Sequence, residues 1–173
     1  MGTNVEVHEL DDDGTIPNNP DCPLIVYRGA LVERSLENDP TGIERLFGRN
    51  GWPAAWRNGV FPYHHYHSTS HEVLGCYGGS ATLQLGGEPG LITEVRAGDV
   101  VVIPAGVGHK RLDSTSDFAV VGAYPEGSEW DMNYAKPGER ERASANIRAV
   151  PVPGTDPVHG TDGPLVTAWP TRT

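Results

Sequence analysis

Between Gly59 and Glu72 the chain places His64, His65, His67 and His71, four of its seven histidines, and closes the run with a carboxylate. Imidazole nitrogen and carboxylate oxygen are the donors that a borderline divalent metal takes. His65 and His67 are two residues apart. In extended backbone alternate side chains share a face, so both imidazoles can reach one point. Glu72 follows the small, turn-prone Ser68-Thr69-Ser70, where a bend can return the next extended stretch to that point. His109 ends the turn Pro104-Ala105-Gly106-Val107-Gly108, which could bring a fourth donor from a distant strand. Three neutral imidazoles and one carboxylate suit a divalent transition metal: Fe(II), Mn(II), Ni(II), Zn(II) or Cu(II). The donor set alone does not choose among them. Taken singly, each histidine is more often an ordinary polar or core residue; only as a set do they indicate a metal.

The neighbours are sorted by strand parity. His71 directly precedes Glu72, so only one of the two should face the metal. His71 is then the candidate acid or base beside the site, or a neighbour outside it. His64 and Tyr66 should face away, and Tyr63 shares the parity of His65. Cys76 shares the parity of Glu72 and Leu74 and should be an interior packing thiol. Gln84, between Leu83 and Leu85, should be exposed. Lys110 and Arg111 could meet an anionic substrate, although solvated charges are commoner. His8 and His159 are given no role.

The elements that must position these residues are short. Leu24-Ile25-Val26-Tyr27 reads as a first strand. Asp39-Pro40 reads as a helix start, with Ile43, Leu46 and Phe47 on one face and Gly48 as its stop. Trp52 and Trp56 fall in the following loop as packing residues. Extended runs are expected over 72–77, 81–85, 92–95, 100–103 and 118–121, separated by Gly78-Gly79, by 86–90 and by Ala97-Gly98-Asp99. Strands at this spacing without intervening helices imply a sandwich or barrel. A surface helix is expected over 137–145, and the proline-rich tail has little periodicity.

Composition narrows the function. The 173 residues suit one domain, and 22 Gly and 15 Pro favour short elements joined by tight turns. A net charge of −10 without a basic run argues against nucleic acid and anionic membrane as partners. Two cysteines, Cys22 and Cys76, make no disulfide framework or CxxC pair, as expected of a cytoplasmic protein. Neither a signal peptide nor a membrane-spanning run is recognisable.

The two histidine segments resemble the cupin superfamily. Gly59, His65, His67, Glu72 and Gly79 match every fixed position of the first cupin motif. Gly98, Pro104, Gly106 and His109 match the second, with Asp113 where the family has Asn. The wording of 65–72 and 104–110, with Trp52 and Trp56-Arg57-Asn58-Gly59, is similar to a narrower group of small bacterial YjlB-like cupins. The resemblance implies an all-β, antiparallel jelly-roll barrel with short helical and extended flanking segments. It also implies a metal held inside by His65, His67, Glu72 and His109, a mouth open to a small molecule, and a homodimer. Residues 1–23 would form an extended arm, 24–125 the barrel with its first strand and helix, and 126–173 an extension packing on the barrel or on a partner subunit. A metal-dependent enzyme of dioxygenase or isomerase type fits this pattern. A non-catalytic small-molecule binder or sensor is the alternative. A structural role, as in storage cupins, is disfavoured by the complete ligand set.

Overall fold

A computed structural model describes residues 4–171. Strands β1 (Asn4–His8), β2 (Leu24–Arg28), β3 (Ala54–Asn58), β4 (Glu72–Gly78), β7 (Val100–Ile103) and β9 (Ala119–Ala123) form one sheet, in the order β1-β2-β7-β4-β9-β3. Strands β5 (Ser80–Leu85), β6 (Leu91–Arg96) and β8 (His109–Ser114) form a second, ordered β6-β5-β8. Every paired neighbour is antiparallel. Three helices complete the chain: α1 (Pro40–Arg49), α2 (Arg140–Ala149) and α3 (Pro164–Ala168).

The four inner strands of the six-stranded sheet, β2, β7, β4 and β9, are buried on both faces, which is why Val100–Ile103 is apolar without alternation. Its inner residues, including Leu24, Val26, Leu74, Val101 and Ile103, meet Leu83, Leu85 and Val95 of the facing sheet. Its outer residues, including Ile25, Tyr27, Val73 and Val102, lie under Ile43, Leu46 and Phe47 of α1 and under Trp52, Leu165 and Trp169. Gly75 sets the close approach of α1: a Cβ there would stand 2.8 Å from Ile43 and 2.9 Å from Phe47. The Asp39 carboxylate caps α1 by accepting from Gly42 N at 2.9 Å.

The two sheets face each other as the antiparallel jelly roll expected from the sequence. Among the described residues no strand pairing joins the two sheets edge to edge, and the nearest link at the site is a single bridge between His65 and His109. Other sequence expectations are corrected. Leu24 does not begin the first strand, because Asn4–His8 pairs along it and an Arg28–Glu6 ion pair at 2.6 Å ties the two. Helix α1 runs past Gly48 to Arg49. Trp56 belongs to β3, not to a loop. The helix expected over 137–145 begins only at Arg140, because Gly138 turns the chain with φ +90°. Glu141, Arg142 and Arg148 form its exposed side, as expected of a surface helix, while Ala143 and Ile147 dock the other face. Gln84 is buried rather than exposed; the 86–90 turn folds back so that its amide donates to Glu88 O at 2.9 Å. Asp113 sits within β8, where its Oδ1 accepts from Ser114 N at 2.9 Å.

Candidate metal centre

The site lies between the sheets, where β4 begins and β8 begins. Parity along β4 turns Glu72, Leu74 and Cys76 inward and His71 and Val73 outward. His65 and His67 approach in extended backbone, pinned by the His65–His109 and Tyr66–Asn133 bridges. His109 arrives from the Pro104–Gly108 loop. The N-terminal arm buttresses that loop: Asn18 N donates to Gly106 O at 2.9 Å, and Ile16 packs against Gly108.

His65, His67 and His109 are buried, and one nitrogen of each lies within 4.8 Å of the others. Each Nδ1 faces a backbone carbonyl: Tyr63 O at 3.1 Å, Asp131 O at 2.7 Å and Val107 O at 3.0 Å respectively. A carbonyl only accepts, so each Nδ1 carries the hydrogen and each Nε2 is the free donor atom. Glu72 completes the group, with Oε2 3.3 Å from His67 Nε2 and Oε1 3.5 Å from His109 Nε2. His109 Nε2 is fully buried and has no hydrogen-bond partner. Its lone pair therefore confronts a carboxylate oxygen, an arrangement that a cation between them relieves. Donors held about 2.0–2.2 Å from one ion stand roughly 3–4.4 Å apart, and the two Glu72 distances of 3.3 and 3.5 Å fall in that range.

Charge follows the same geometry. Burial holds the His65 imidazolium pKa below its ordinary value, and the positive charge of His67 adds to this. Burial does the same to His109 more strongly, with His65 next. For His67 burial also opposes the charged form, but the Glu72 carboxylate outweighs it and the pKa is raised. Burial pushes the Glu72 carboxyl up, yet His67, His109 and the Tyr124 hydroxyl together hold it well below the usual carboxylate range. The proton that an incoming ion must displace is therefore held most firmly at His67. Metal affinity is expected to fall about tenfold per pH unit below the raised pKa of His67, and more steeply at lower pH once His65 also titrates. Titration of a fluorescent chelator against the protein at pH 6, 7 and 8 measures this, and a flat profile would count against it.

A cavity of about 330 Å³ opens over the four residues. Tyr124, one residue past β9, donates to Glu72 Oε2 at 2.6 Å and accepts from Trp56 Nε1 at 2.9 Å. Gly122 makes room for that indole, since a Cβ there would stand 2.3 Å from the ring. Asp131 orients the His67 segment: its carbonyl accepts from the imidazole, and its carboxylate accepts from Ser68 N at 2.6 Å and Asn133 Nδ2 at 2.9 Å.

The four expected ligands are therefore brought together, while the other expectations divide. His71, the candidate acid or base, is turned away from the cavity. Its Nδ1 accepts from Ala105 N at 2.9 Å, its Nε2 faces Pro151 O at 3.2 Å, and its ring packs 4.6 Å from that of Trp169. Strand parity explains this, because the inward position belongs to Glu72. His64 faces away and meets Glu88 at 3.1 Å. Tyr66 is buried against Ile16 and Ala143. Cys76 is an interior thiol whose pKa burial pushes up to about 12. Lys110 and Arg111 do not line the cavity. Tyr124, Trp56, Trp130 and Asp131 were not singled out as site residues by sequence. For Tyr124 a signal existed: continuing the period-2 pattern of β9 through Val120 and Gly122 turns it inward.

Two facing antiparallel sheets with three inward histidines and a carboxylate at one end define a cupin-type jelly roll with a candidate metal centre. No family model matches the chain. It is 47% identical over 169 residues to the uncharacterized protein YjlB of Bacillus subtilis (strain 168), spanning 98% of this chain and 99% of that one, and so belongs to the YjlB family. Among solved structures it is similar to RmlC from Streptococcus suis in complex with dTDP-D-xylose, at 14% identity and a TM-score of 0.40 over 80% of this chain and 81% of that one. It is also similar to the coconut allergen cocosin, at 14% identity and a TM-score of 0.37 over 77% of this chain but only 28% of that one. The fold assignment rests on the strand order. Among the described residues, no helix is long and apolar enough to cross a membrane.

Proposed function

We propose that the protein binds one divalent transition metal through His65, His67, Glu72 and His109 and uses it as an enzyme on a small organic molecule. The observation that carries this reading is the buried, unpartnered His109 Nε2 aimed at the Glu72 carboxylate. A buried polar atom left without a partner costs about 1–3 kcal/mol, and a metal removes that cost. When bound, the metal would supply Lewis acidity and a template for a coordinating substrate. The chain does the rest. Three backbone carbonyls fix the imidazole tautomers, and Tyr124 fixes Glu72.

Between the two reaction types, the cavity favours oxygenation over isomerisation. Isomerisation by proton transfer needs a free acid or base beside the substrate. His71 faces elsewhere, and the Tyr124 hydroxyl is engaged by Glu72 and Trp56. The same observation keeps the second reading in play, a binder or sensor that performs no turnover. Oxygen uptake by the iron-loaded protein, screened over small ring-bearing substrates, tests the enzyme reading. Consumption of oxygen with product formation supports it. Ligand binding without any turnover under each of the five metals favours the binder.

A further inference from the structure

We infer that the cavity takes a small aromatic molecule carrying one ionised oxygen group, a phenolate or an aryl carboxylate; this rests on the metal reading above. Three properties of the wall lead there. The first is size. About 330 Å³ lies at the small end of the roughly 300–1,000 Å³ of ligand pockets, enough for a compact ring system.

The second is the aromatic mouth. Phe61, Tyr63, Trp130 and Tyr134 are all among the exposed large apolar side chains, at 46%, 43%, 41% and 40% exposure. They gather at one place. Phe61 stacks on Tyr63 at 5.1 Å, Tyr63 meets Tyr134 at 5.9 Å, and Trp130 lies flat on Tyr124 at 4.2 Å and 7°. Of these, Phe61, Trp130 and Tyr134 line the cavity itself, with Tyr63 beside them, and aromatic walls favour a planar ring between them.

The third is charge. Apart from Glu72 the lining holds no Asp, Glu, Lys or Arg. A divalent ion with Glu72 and three neutral imidazoles leaves one net positive charge in surroundings of low polarity. A ligand bringing one negative charge neutralises it. A dianion such as a phosphate ester would leave a negative charge without a cation to meet it. The nearby Lys110 ammonium is directed at Glu88, 4.0 Å away. A sugar would need a row of hydrogen-bonding groups, whereas beyond the four ligands the polar side-chain groups are those of Asn58 and Tyr134, the Trp130 and Trp56 indole N–H groups and the Tyr124 hydroxyl. The last two are already bonded to each other.

Calorimetric titration of the metal-loaded full chain tests this, with metal content measured on the same sample. Benzoate and 4-nitrophenolate represent the two sources of the ionised group. Acetate lacks the ring, benzyl alcohol lacks the charge, and phenyl phosphate adds a second charge. At least one of the first two is expected to bind about tenfold or more tighter than each of the other three. Trp130→Ala is expected to weaken that binding about tenfold while metal content stays the same, because its ring touches Tyr124 and none of the ligands. Acetate binding as well as benzoate, phenyl phosphate binding tightest, or neither aromatic anion binding would overturn the inference while leaving the metal reading intact. Failure to load any metal would instead overturn the reading on which it rests.

Discussion

Glu72→Ala and His67→Ala are each expected to lower metal affinity by at least about 100-fold while the two sheets stay folded. Loss of an outer hydrogen-bond partner at a metal site costs roughly 10–100-fold, and removing a donor itself should cost more. Glu72 supplies the one negative charge among the four residues, and both its oxygens face histidine nitrogens, at 3.3 and 3.5 Å. The fold should survive because its core lies elsewhere. Leu24, Val26, Leu83, Leu85 and Val101 between the sheets, and Phe47, Trp52 and Trp169 on the outer face, touch neither residue's function. Glu72→Ala does strand the Tyr124 hydroxyl, which now donates to it at 2.6 Å. That should cost about 1–3 kcal/mol, within the 5–15 kcal/mol typical of a domain. Elemental analysis after dialysis, paired with far-ultraviolet circular dichroism, reads both parts. Retained metal would remove these residues from the site, and global unfolding would make the cluster structural.

The second large effect should come from Asp156, far from the metal. Its carboxylate is completely buried and accepts from the Tyr27 hydroxyl, from Val158 N at 2.8 Å, from His159 N at 3.0 Å and from Leu165 N at 3.1 Å. These bonds fasten the C-terminal extension and α3 onto the outer face of β2. Gly163 is held close to the same group, where a Cβ would stand 2.2 Å from that of Asp156. Asp156→Ala leaves four donors unsatisfied at once and is expected to cost about 3–5 kcal/mol. At roughly 2–4 °C per kcal/mol for a chain of this size, the melting temperature should fall by about 6–20 °C. Tyr27→Phe removes one of the four bonds and should cost about 1 kcal/mol. Urea unfolding of both variants gives the comparison. A loss below 1 kcal/mol for Asp156→Ala would mean that the extension contributes little to stability.

The four candidate ligands could be picked out in the sequence because a metal dictates both residue type and spacing. A period of two residues then decided between Glu72 and His71 for the inward position. The same rule placed Cys76 inside and Tyr66 and His64 away from the site. It misled at Gln84, because parity says which face of a sheet a residue lies on, not whether a turn covers that face. The supporting residues were harder. Trp130 and Asp131 come from an irregular stretch without periodicity, and their places depend on tertiary contacts with Tyr124 and Ser68. Assigning acid–base chemistry to His71 failed for a related reason. A histidine next to a ligand in sequence is on the far side of the strand. Strand spacing also gave the right class of fold, a jelly roll of two facing sheets, but not the pairing at its edge, where Asn4–His8 adds a strand beside β2.

The most direct measurement is the metal content of the wild-type chain, loaded in turn with each of the five divalent ions, dialysed, and compared with a His109→Ala control. About one ion per chain for at least one of these metals is expected, with little or none in the control. A wild-type chain that holds no ion after every loading, or a control that holds as much, would contradict the metal centre.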